Sequence, residues 1–292
     1  MVLIILLSIN FLSLAVIFYA LYTYQYFTMV CVRPKSSREE KEETASIPKG
    51  YDMLHMEGKQ GKLKGYYSHG NSGKLVILVH GWRDDAKSRL EDAAFYQKLG
   101  HSVFLPDLRG HGASGGKYLG MGIADGEDLA AWVNYFKNES GESREIILDG
   151  ISTGAAAVLH MKADCINKNV SGIIADSCYE NLPQILVKMI PVRPEFLAGF
   201  YLYGINFWCR GFCKFDMKNS NTLISIRNIQ IPVLLIGGAL DKIVPVETQH
   251  KLKAAGGSRC TLWVQENTSH GKASYVDRAA YEDKLRTFLE LS

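Results

Sequence analysis

The sequence predicts an α/β fold in which helices cover both faces of a mostly parallel central sheet. Apolar, strand-like runs alternate with segments of helical periodicity, and the pentapeptide Gly150–Gly154 places a Ser between two glycines at one strand-to-helix junction. At 292 residues the chain is long enough for one large α/β domain. The net charge of +3 is too small to indicate nucleic-acid binding.

The elements follow one another regularly. The stretches Tyr51–Met56 and Lys62–Ser68 are joined without a helix, so we expect them to form an antiparallel edge of the sheet. Further strands are predicted at Lys74–His80, Ser102–Leu105, Arg144–Asp149, Gly172–Ala175, Pro232–Ile236 and Thr261–Val264. Helical spacing predicts helices at 85–99, 124–137, 246–255 and 275–291, and another directly after the Gly150–Gly154 pentapeptide.

One segment interrupts this alternation. Between the strands predicted at 172–175 and 232–236 lie about 55 residues without a strand pattern, a connection long enough to be a functional insertion. Its aromatic residues include Phe196, Phe200, Tyr201, Tyr203, Phe207, Trp208, Phe212 and Phe215. We predict a small helical cap over the Ser, at about residues 178–226.

The N-terminal segment differs in composition from the rest. No charged side chain occurs from Val2 to Val32, and the apolar run exceeds the roughly 20 residues that span a bilayer. Tyrosines between Tyr19 and Tyr26 are typical of a membrane interface. We therefore predict a transmembrane anchor at residues 1–32, a solvated, mixed-charge tether at 33–49 and a globular domain at 50–292.

Two alternatives to an anchor remain open. A cleaved signal peptide requires a charged n-region and a small-x-small cleavage site, and neither is clear. A buried core helix requires a polar face or capping pattern, which the segment lacks. Arg33, Lys35 and Arg38 follow the segment and favour a cytoplasmic domain, but the side of the membrane stays open.

The six cysteines do not indicate a metal centre. Cys209 and Cys213 lie four residues apart, and we expect them to be too isolated from His or further Cys to form a zinc site. We expect free, partly buried thiols, with no metal and no cofactor.

Ser152 is the candidate nucleophile. A Ser in the pattern Gly-x-Ser-x-Gly, after a buried strand and before a helix, forms a strained turn that lifts its hydroxyl above the sheet. The alternative role is that of a helix N-cap, which Ser also favours.

A Ser hydroxyl needs a base, and the base needs an orienting acid. Asp241 follows the strand predicted at 232–236, and His270 follows the strand predicted at 261–264, so both should lie at the carboxyl edge of the sheet. Asp241 could instead serve only a turn, and His270 could be a surface residue. Asp176, at the end of the strand predicted at 172–175, is the rival acid.

An oxyanion hole in this arrangement uses the amide after the nucleophile and one from the loop after an earlier strand. These are the Thr153 amide and, following His80-Gly81, the Trp82 amide. We expect His80 and His111 to be structural.

These motifs together resemble the α/β-hydrolase superfamily, and within it the esterase and serine aminopeptidase (S33)-like group. The matching segments are Val79–Trp82, Asp107–Ser114, Gly150–Gly154, Ile231–Pro245 and Ser269–Gly271. The resemblance implies an α/β-hydrolase fold with Ser152 as nucleophile, Asp241 as acid and His270 as base. Thr153 stands where Met or Gln is commoner, and Gly237-Gly238-Ala239 replaces the usual His-Gly-x.

The sequence therefore predicts a membrane-anchored serine hydrolase that cleaves small-molecule acyl esters through an acyl-enzyme. A serine aminopeptidase-like peptidase and a non-catalytic binding module are the alternatives. The scarcity of carboxylates in the predicted cap favours esters, because an aminopeptidase must neutralise a substrate ammonium. A Ser at position 152 disfavours dehalogenase and epoxide hydrolase chemistry, which uses Asp there.

Overall fold

The computed structural model describes residues 2–33, 47–138, 145–189 and 197–291. Its centre is one eight-stranded sheet with the strand order β1-β2-β4-β3-β5-β6-β7-β8. The strands are β1 (Asp52–Gly58), β2 (Gly61–Ser68), β3 (Lys74–Val79), β4 (Ser102–Asp107), β5 (Glu145–Ile151), β6 (Gly172–Asp176), β7 (Val233–Gly238) and β8 (Cys260–Gln265).

The sheet is antiparallel at one edge and parallel elsewhere. β2 pairs antiparallel with β1 and β4, whereas every pairing among β3 to β8 is parallel. The central strand β3 is buried on both faces, since Leu75 and Ile77 join one apolar cluster and Val76 and Leu78 join the other. This explains why its sequence is continuously apolar rather than alternating. The predicted fold is confirmed.

Helices cover both faces of the sheet, and short 3₁₀ turns link several of them. The described α-helices are α1 (Val2–Cys31), α2 (Leu90–Lys98), α3 (Asp125–Asn138), α4 (Thr153–His160), α5 (Ala163–Asn169), α6 (Leu182–Met189), α7 (Ala198–Trp208), α8 (Thr222–Arg227), α9 (Val246–Gly256), α10 (Ala273–Val276) and α11 (Arg278–Leu291).

The connection between β6 and β7 contains α6, α7 and α8 and no described strand. It lies where the sequence predicts a helical cap at 178–226, although residues 190–196 are outside the described part of the chain. The predicted tether at 33–49 falls mostly on residues 34–46, which are also outside it. The boundaries 1–32, 33–49 and 50–292 stay predictions.

Helix α1 has two different halves. From Ile5 to Leu21 its described apolar side chains are mostly exposed, whereas Thr23, Phe27 and Val30 are buried. The buried half packs on α7, where the Trp208 indole donates a hydrogen bond to the Thr23 hydroxyl at 3.1 Å. The C-terminal half of α1 is therefore part of the globular domain's core.

Candidate active site

The turn between β5 and α4 has the strained geometry predicted for a nucleophile elbow. Ser152 has φ +54° and ψ −113°, in a region that residues with a side chain rarely adopt. Its amide donates to the Asp176 carbonyl at 2.8 Å, and its own carbonyl accepts from the Ala156 amide at 3.0 Å. These bonds fix the hydroxyl at the carboxyl end of β5.

Both flanking glycines are required by steric contact. A Cβ on Gly150 would lie 2.5 Å from the Gly154 carbonyl oxygen, and a Cβ on Gly154 would lie 2.5 Å from the carbonyl oxygens of Val79 and His80. Backbone oxygens cannot move aside without displacing β3 or the elbow. The glycine spacing that the sequence displays thus has a direct physical cause.

Three side chains from separate loops converge at this elbow. His270 Nε2 lies 2.7 Å from Ser152 Oγ, and His270 Nδ1 lies 2.7 Å from Asp241 Oδ2. Asp241 is almost fully buried, and its other oxygen accepts the amides of Ile243 (2.9 Å) and Val244 (2.8 Å). The structure thus brings together the three residues that the sequence singles out, in a hydrogen-bonded chain from carboxylate to imidazole to hydroxyl.

The loops carrying Asp241 and His270 are held against each other. The Leu240 amide donates to the Thr268 carbonyl at 2.9 Å, and a Cβ on Gly238 would clash with that same oxygen. Gly238 therefore lets its backbone approach the Thr268 carbonyl more closely than any residue with a side chain could.

Asp176, the rival acid, occupies a different role. Its Oδ1 accepts a hydrogen bond from the Ser177 hydroxyl at 2.8 Å, and the Ser177 hydroxyl oxygen accepts the Gly271 amide at 3.0 Å. Complete burial raises the pKa of Asp176 to about 7. Asp176 thus supports the residue after His270, while Asp241 contacts the imidazole.

The loop after β3 lies beside the Ser. A Cβ on Gly81 would be 3.7 Å from Ser152 Cβ, an ordinary contact, so this backbone runs next to the elbow. Trp82 and Thr153, the two residues predicted to supply oxyanion amides, border the same cavity as Ser152. Thr153 begins α4, where the first amides of a helix have no intrahelical acceptor.

Two buried histidines build this loop. His80 Nε2 accepts a hydrogen bond from the Leu108 amide at 3.0 Å, and His80 Nδ1 donates one to the Gly81 carbonyl at 2.8 Å. His111 Nε2 accepts a hydrogen bond from the Arg83 amide at 3.2 Å. Burial lowers the pKa of His80, and it lowers the pKa of His111 to about 3, so both rings are neutral at physiological pH. The geometry agrees with the structural role expected for them.

A contact that sequence reasoning missed ties this loop to α1. The Trp82 indole donates to the Val30 carbonyl at 3.1 Å, and the Arg83 guanidinium donates to the Met29 carbonyl. Arg83 also lies 4.6 Å from the centre of the Trp82 ring. Nothing in the local sequence signals a contact across more than fifty positions.

Ser152 opens into a cavity of about 470 Å³ with a mainly apolar lining. The cap contributes Tyr179, Leu182, Ile185 and Met189, and the body contributes Met121, Ile151 and Val244 among others. The aromatic residues of α7 are not among the lining residues, because they pack on α1 or are exposed. A larger cavity of about 550 Å³ lies elsewhere, around Arg109 and Arg210, and does not include Ser152.

The charged residues that border the Ser152 cavity are mostly cationic. Among the described residues, Lys188, Lys242 and Lys272 line it together with a single carboxylate, Asp84. The Lys188 ammonium donates to the Ile243 carbonyl at 2.7 Å. The mouth of the cavity therefore favours neutral or anionic molecules over cations.

Comparison with known proteins agrees with this architecture. The family described as serine aminopeptidase, S33, matches residues 70–193. The uncharacterised protein YqkD of Bacillus subtilis is 26% identical over 257 residues, covering 87% of this chain and 81% of that protein. The uncharacterised protein Rv2307c of Mycobacterium tuberculosis is 25% identical, with 83% and 80% covered.

Solved structures give the same fold. The esterase Pf2001 of Pyrococcus furiosus superposes with a TM-score of 0.66 at 25% identity, over 82% of this chain and 91% of that one. An alpha-beta hydrolase of Vibrio vulnificus superposes with a TM-score of 0.63 at 21% identity, over 87% and 86% of the two chains.

Proposed function

We propose that this chain, which has an α/β-hydrolase fold and whose residues 70–193 match the serine aminopeptidase S33 family, is a serine hydrolase that cleaves carboxylic esters of apolar acyl groups. The observation that carries the proposal is the continuous hydrogen-bonded chain from Asp241 through His270 to Ser152, with 2.7 Å at each step.

The reaction follows from this geometry. His270 Nε2 accepts the Ser152 proton as Oγ attacks the acyl carbonyl carbon, and the amides of Trp82 and Thr153 stabilise the resulting oxyanion. The imidazolium, oriented by Asp241, then protonates the leaving alkoxide as the ester bond breaks. Water attacks the acyl-enzyme with His270 as base, which releases the acid and restores the Ser152 hydroxyl.

The cavity supports esters over peptides with a free amino terminus. Its wall is apolar, and the part of its charged border that the structure describes contains three lysines against one carboxylate. An aminopeptidase must hold a substrate ammonium, which these lysines would repel. The match to the serine aminopeptidase family nevertheless makes the peptidase the competing function.

A fluorophosphonate probe and a substrate panel test the proposal on the full-length protein in detergent. Labelling should disappear in Ser152→Ala and persist in Ser88→Ala, whose hydroxyl bonds the Asp85 carbonyl instead. Turnover of p-nitrophenyl esters should exceed that of aminoacyl-amides. No labelling of the folded protein would indicate a binding module, and faster amide cleavage would indicate a peptidase.

We further propose that α1 anchors the protein in a membrane. By length and composition, residues Leu7–Cys31 are apolar enough to span a bilayer; the exposed half of α1, up to Leu21, is the part proposed to lie in lipid. Ile5, Phe11 and Phe18 are more than half exposed, and an apolar surface of this extent is unfavourable in water. The yeast relative YNL320W, 24% identical over 75% of this chain, is called a membrane protein.

Helix α7 supports the same location. Phe200, Tyr203 and Phe207 share one face of it and are 56%, 75% and 65% exposed. The Phe200 ring lies 4.1 Å from that of Tyr19, where the exposed half of α1 ends. Aromatic side chains at this level fit the interface between lipid and water.

Alkaline carbonate extraction of cell membranes tests the anchor. The full chain should stay in the membrane pellet with its N-terminal residues present. Release into the supernatant would show that α1 does not span the bilayer. A mature chain that begins after residue 20 would identify a cleaved signal peptide, which would remove the Tyr19 contacts with Phe200.

A further inference from the structure

Three cysteines converge where α1 meets the cap. Cys31 is the last residue of α1, and Cys209 and Cys213 begin and end a single π-helical turn that continues α7. Their Sγ atoms all lie within 4.8 Å of one another. The expectation that Cys209 and Cys213 are isolated from further cysteine is wrong, because folding brings Cys31 beside them from 178 positions away.

The spacing fits a shared ligand. The Sγ atoms of Cys31 and Cys209 are 3.8 Å apart, too far for a disulfide bond of about 2.0 Å. Two thiolates on one tetrahedral metal ion, with bonds of about 2.3 Å, lie about 3.8 Å apart. All three cysteines are free thiols in the structure, so each sulfur is available as a ligand.

The π-helical turn directs the side chains of Cys209 and Cys213 toward Cys31. A π-helical turn is rare and is frequently found at functional sites. In this turn Cys209 and Cys213 face the same side as the end of α1, and the next residue, Lys214, leaves it in the left-handed conformation with φ +62°. This break in regular helix geometry is a second observation, independent of the sulfur distances, that indicates a functional site at these cysteines.

The three cysteines are shielded from bulk solvent. Cys31, Cys209 and Cys213 are at most 1% exposed. Aromatic rings enclose this junction, since Phe212 stacks on Phe27 at 5.7 Å and on Tyr118 at 5.4 Å. Such a shell shields a bound ion from solvent and from competing ligands.

We propose that Cys31, Cys209 and Cys213 form a three-thiolate site for a thiophilic metal ion, Zn²⁺ or Cu⁺, that fastens the N-terminal helix to the cap. Sulfur ligands select these ions over Mg²⁺ or Ca²⁺. Binding releases the thiol protons to solvent and changes no oxidation state. Among the described residues, these three sulfurs are the only cluster of three or more side-chain atoms placed to bind one metal ion.

The site lies next to the loop that borders Ser152. The carbonyls of Met29 and Val30, immediately before Cys31, accept the side-chain hydrogen bonds of Arg83 and Trp82. A metal ion on Cys31 would therefore fix the helix end that holds this loop. The inference concerns a separate site and does not depend on the proposed hydrolase activity.

Metal titration of the full-length protein tests the proposal. Protein purified in detergent, reduced and freed of metal by a chelator should take up one Zn²⁺ per chain, measured by elemental analysis after desalting, and its melting temperature should rise with added Zn²⁺. Cd²⁺ in place of Zn²⁺ should produce thiolate-to-metal charge-transfer absorption. Cys209→Ser and Cys213→Ser should each lower the affinity more than about 100-fold, because even outer-shell partners of a metal contribute 10–100-fold.

Cys165→Ser is the matched control, because Cys165 lies on α5 outside the cluster; it should retain one Zn²⁺ per chain. Circular dichroism establishes that each variant is folded. Failure of the folded, reduced wild type to take up either Zn²⁺ or Cu⁺ would overturn the proposal, as would undiminished uptake by both Cys209→Ser and Cys213→Ser. A Cys31–Cys209 disulfide formed in air, without metal uptake after reduction, would assign the cluster as a redox pair instead.

Discussion

The indole N–H of Trp82 donates a hydrogen bond to the main-chain carbonyl of Val30, with 3.1 Å between nitrogen and oxygen. The bond joins the last turn of α1 to the loop after β3, whose Trp82 amide is the proposed oxyanion donor. The N-terminal helix is thus in direct contact with the candidate active site as well as with the cap.

Trp82→Phe tests whether this contact positions the loop. The variant keeps the main-chain amide and an aromatic ring but loses the indole donor. We expect kcat for ester hydrolysis to fall roughly three- to tenfold with little change in KM, since one hydrogen bond contributes about 0.5–1.5 kcal/mol. Trp263→Phe, on β8, removes an indole remote from the loop and should leave both parameters unchanged. An unaltered kcat in Trp82→Phe would show that the bond has no catalytic consequence.

The two buried acids can be separated by substitution. Asp241→Asn should lower kcat by about 10⁴-fold, because an amide cannot hold the imidazole in the required tautomer. Asp176→Asn should lower kcat by less than about tenfold, since its carboxyl group contacts Ser177 rather than His270. Steady-state ester hydrolysis measures both. A larger loss in Asp176→Asn than in Asp241→Asn would reverse the assignment.

Asp176 also makes stability depend on pH. Burial raises its pKa from 3.8 to about 7, so the folded protein binds a proton that the unfolded chain releases above pH 4. This contribution is fully present below pH 4 and is lost as the pH rises to about 7, by up to about 1.4 kcal/mol per pH unit. We expect Asp176→Asn to gain stability relative to wild type between pH 4 and pH 7, measured by urea unfolding. A constant difference across that range would contradict the raised pKa.

Gly154→Ala should disrupt the elbow. The added Cβ would lie 2.5 Å from the carbonyl oxygens of both Val79 and His80, so β3 or α4 must move. We expect about 1–3 kcal/mol of destabilisation or more, together with loss of fluorophosphonate labelling.

Gly199→Ala is the control, because a Cβ there, in α7, meets nothing within 4 Å. That variant should be unchanged or stabilised by up to about 1 kcal/mol. Thermal unfolding and labelling measure both, and an active, fully stable Gly154→Ala protein would refute the steric argument.

Much of the fold and of the candidate site could be predicted because it depends on local rules. The glycines around Ser152 are dictated by close backbone contacts within the elbow and with β3. Asp241 and His270 follow two adjacent parallel strands, and the ends of such strands meet at one edge of the sheet. The alternation of strands with helices and the positions of the turns depend on the local order of residue types, so the sequence alone determined them.

The tertiary structure alone decided the contacts between distant segments. Asp176 ends one parallel strand and Asp241 follows the next, and only their side-chain geometry places Asp241 against His270 and Asp176 against Ser177. The approach of Cys31 to Cys209, and of Val30 to Trp82, depends on how α1 packs against the cap and the loop after β3. No periodicity in the chain specifies such contacts, because helix packing is set by the shapes of two surfaces that form only when the chain has folded.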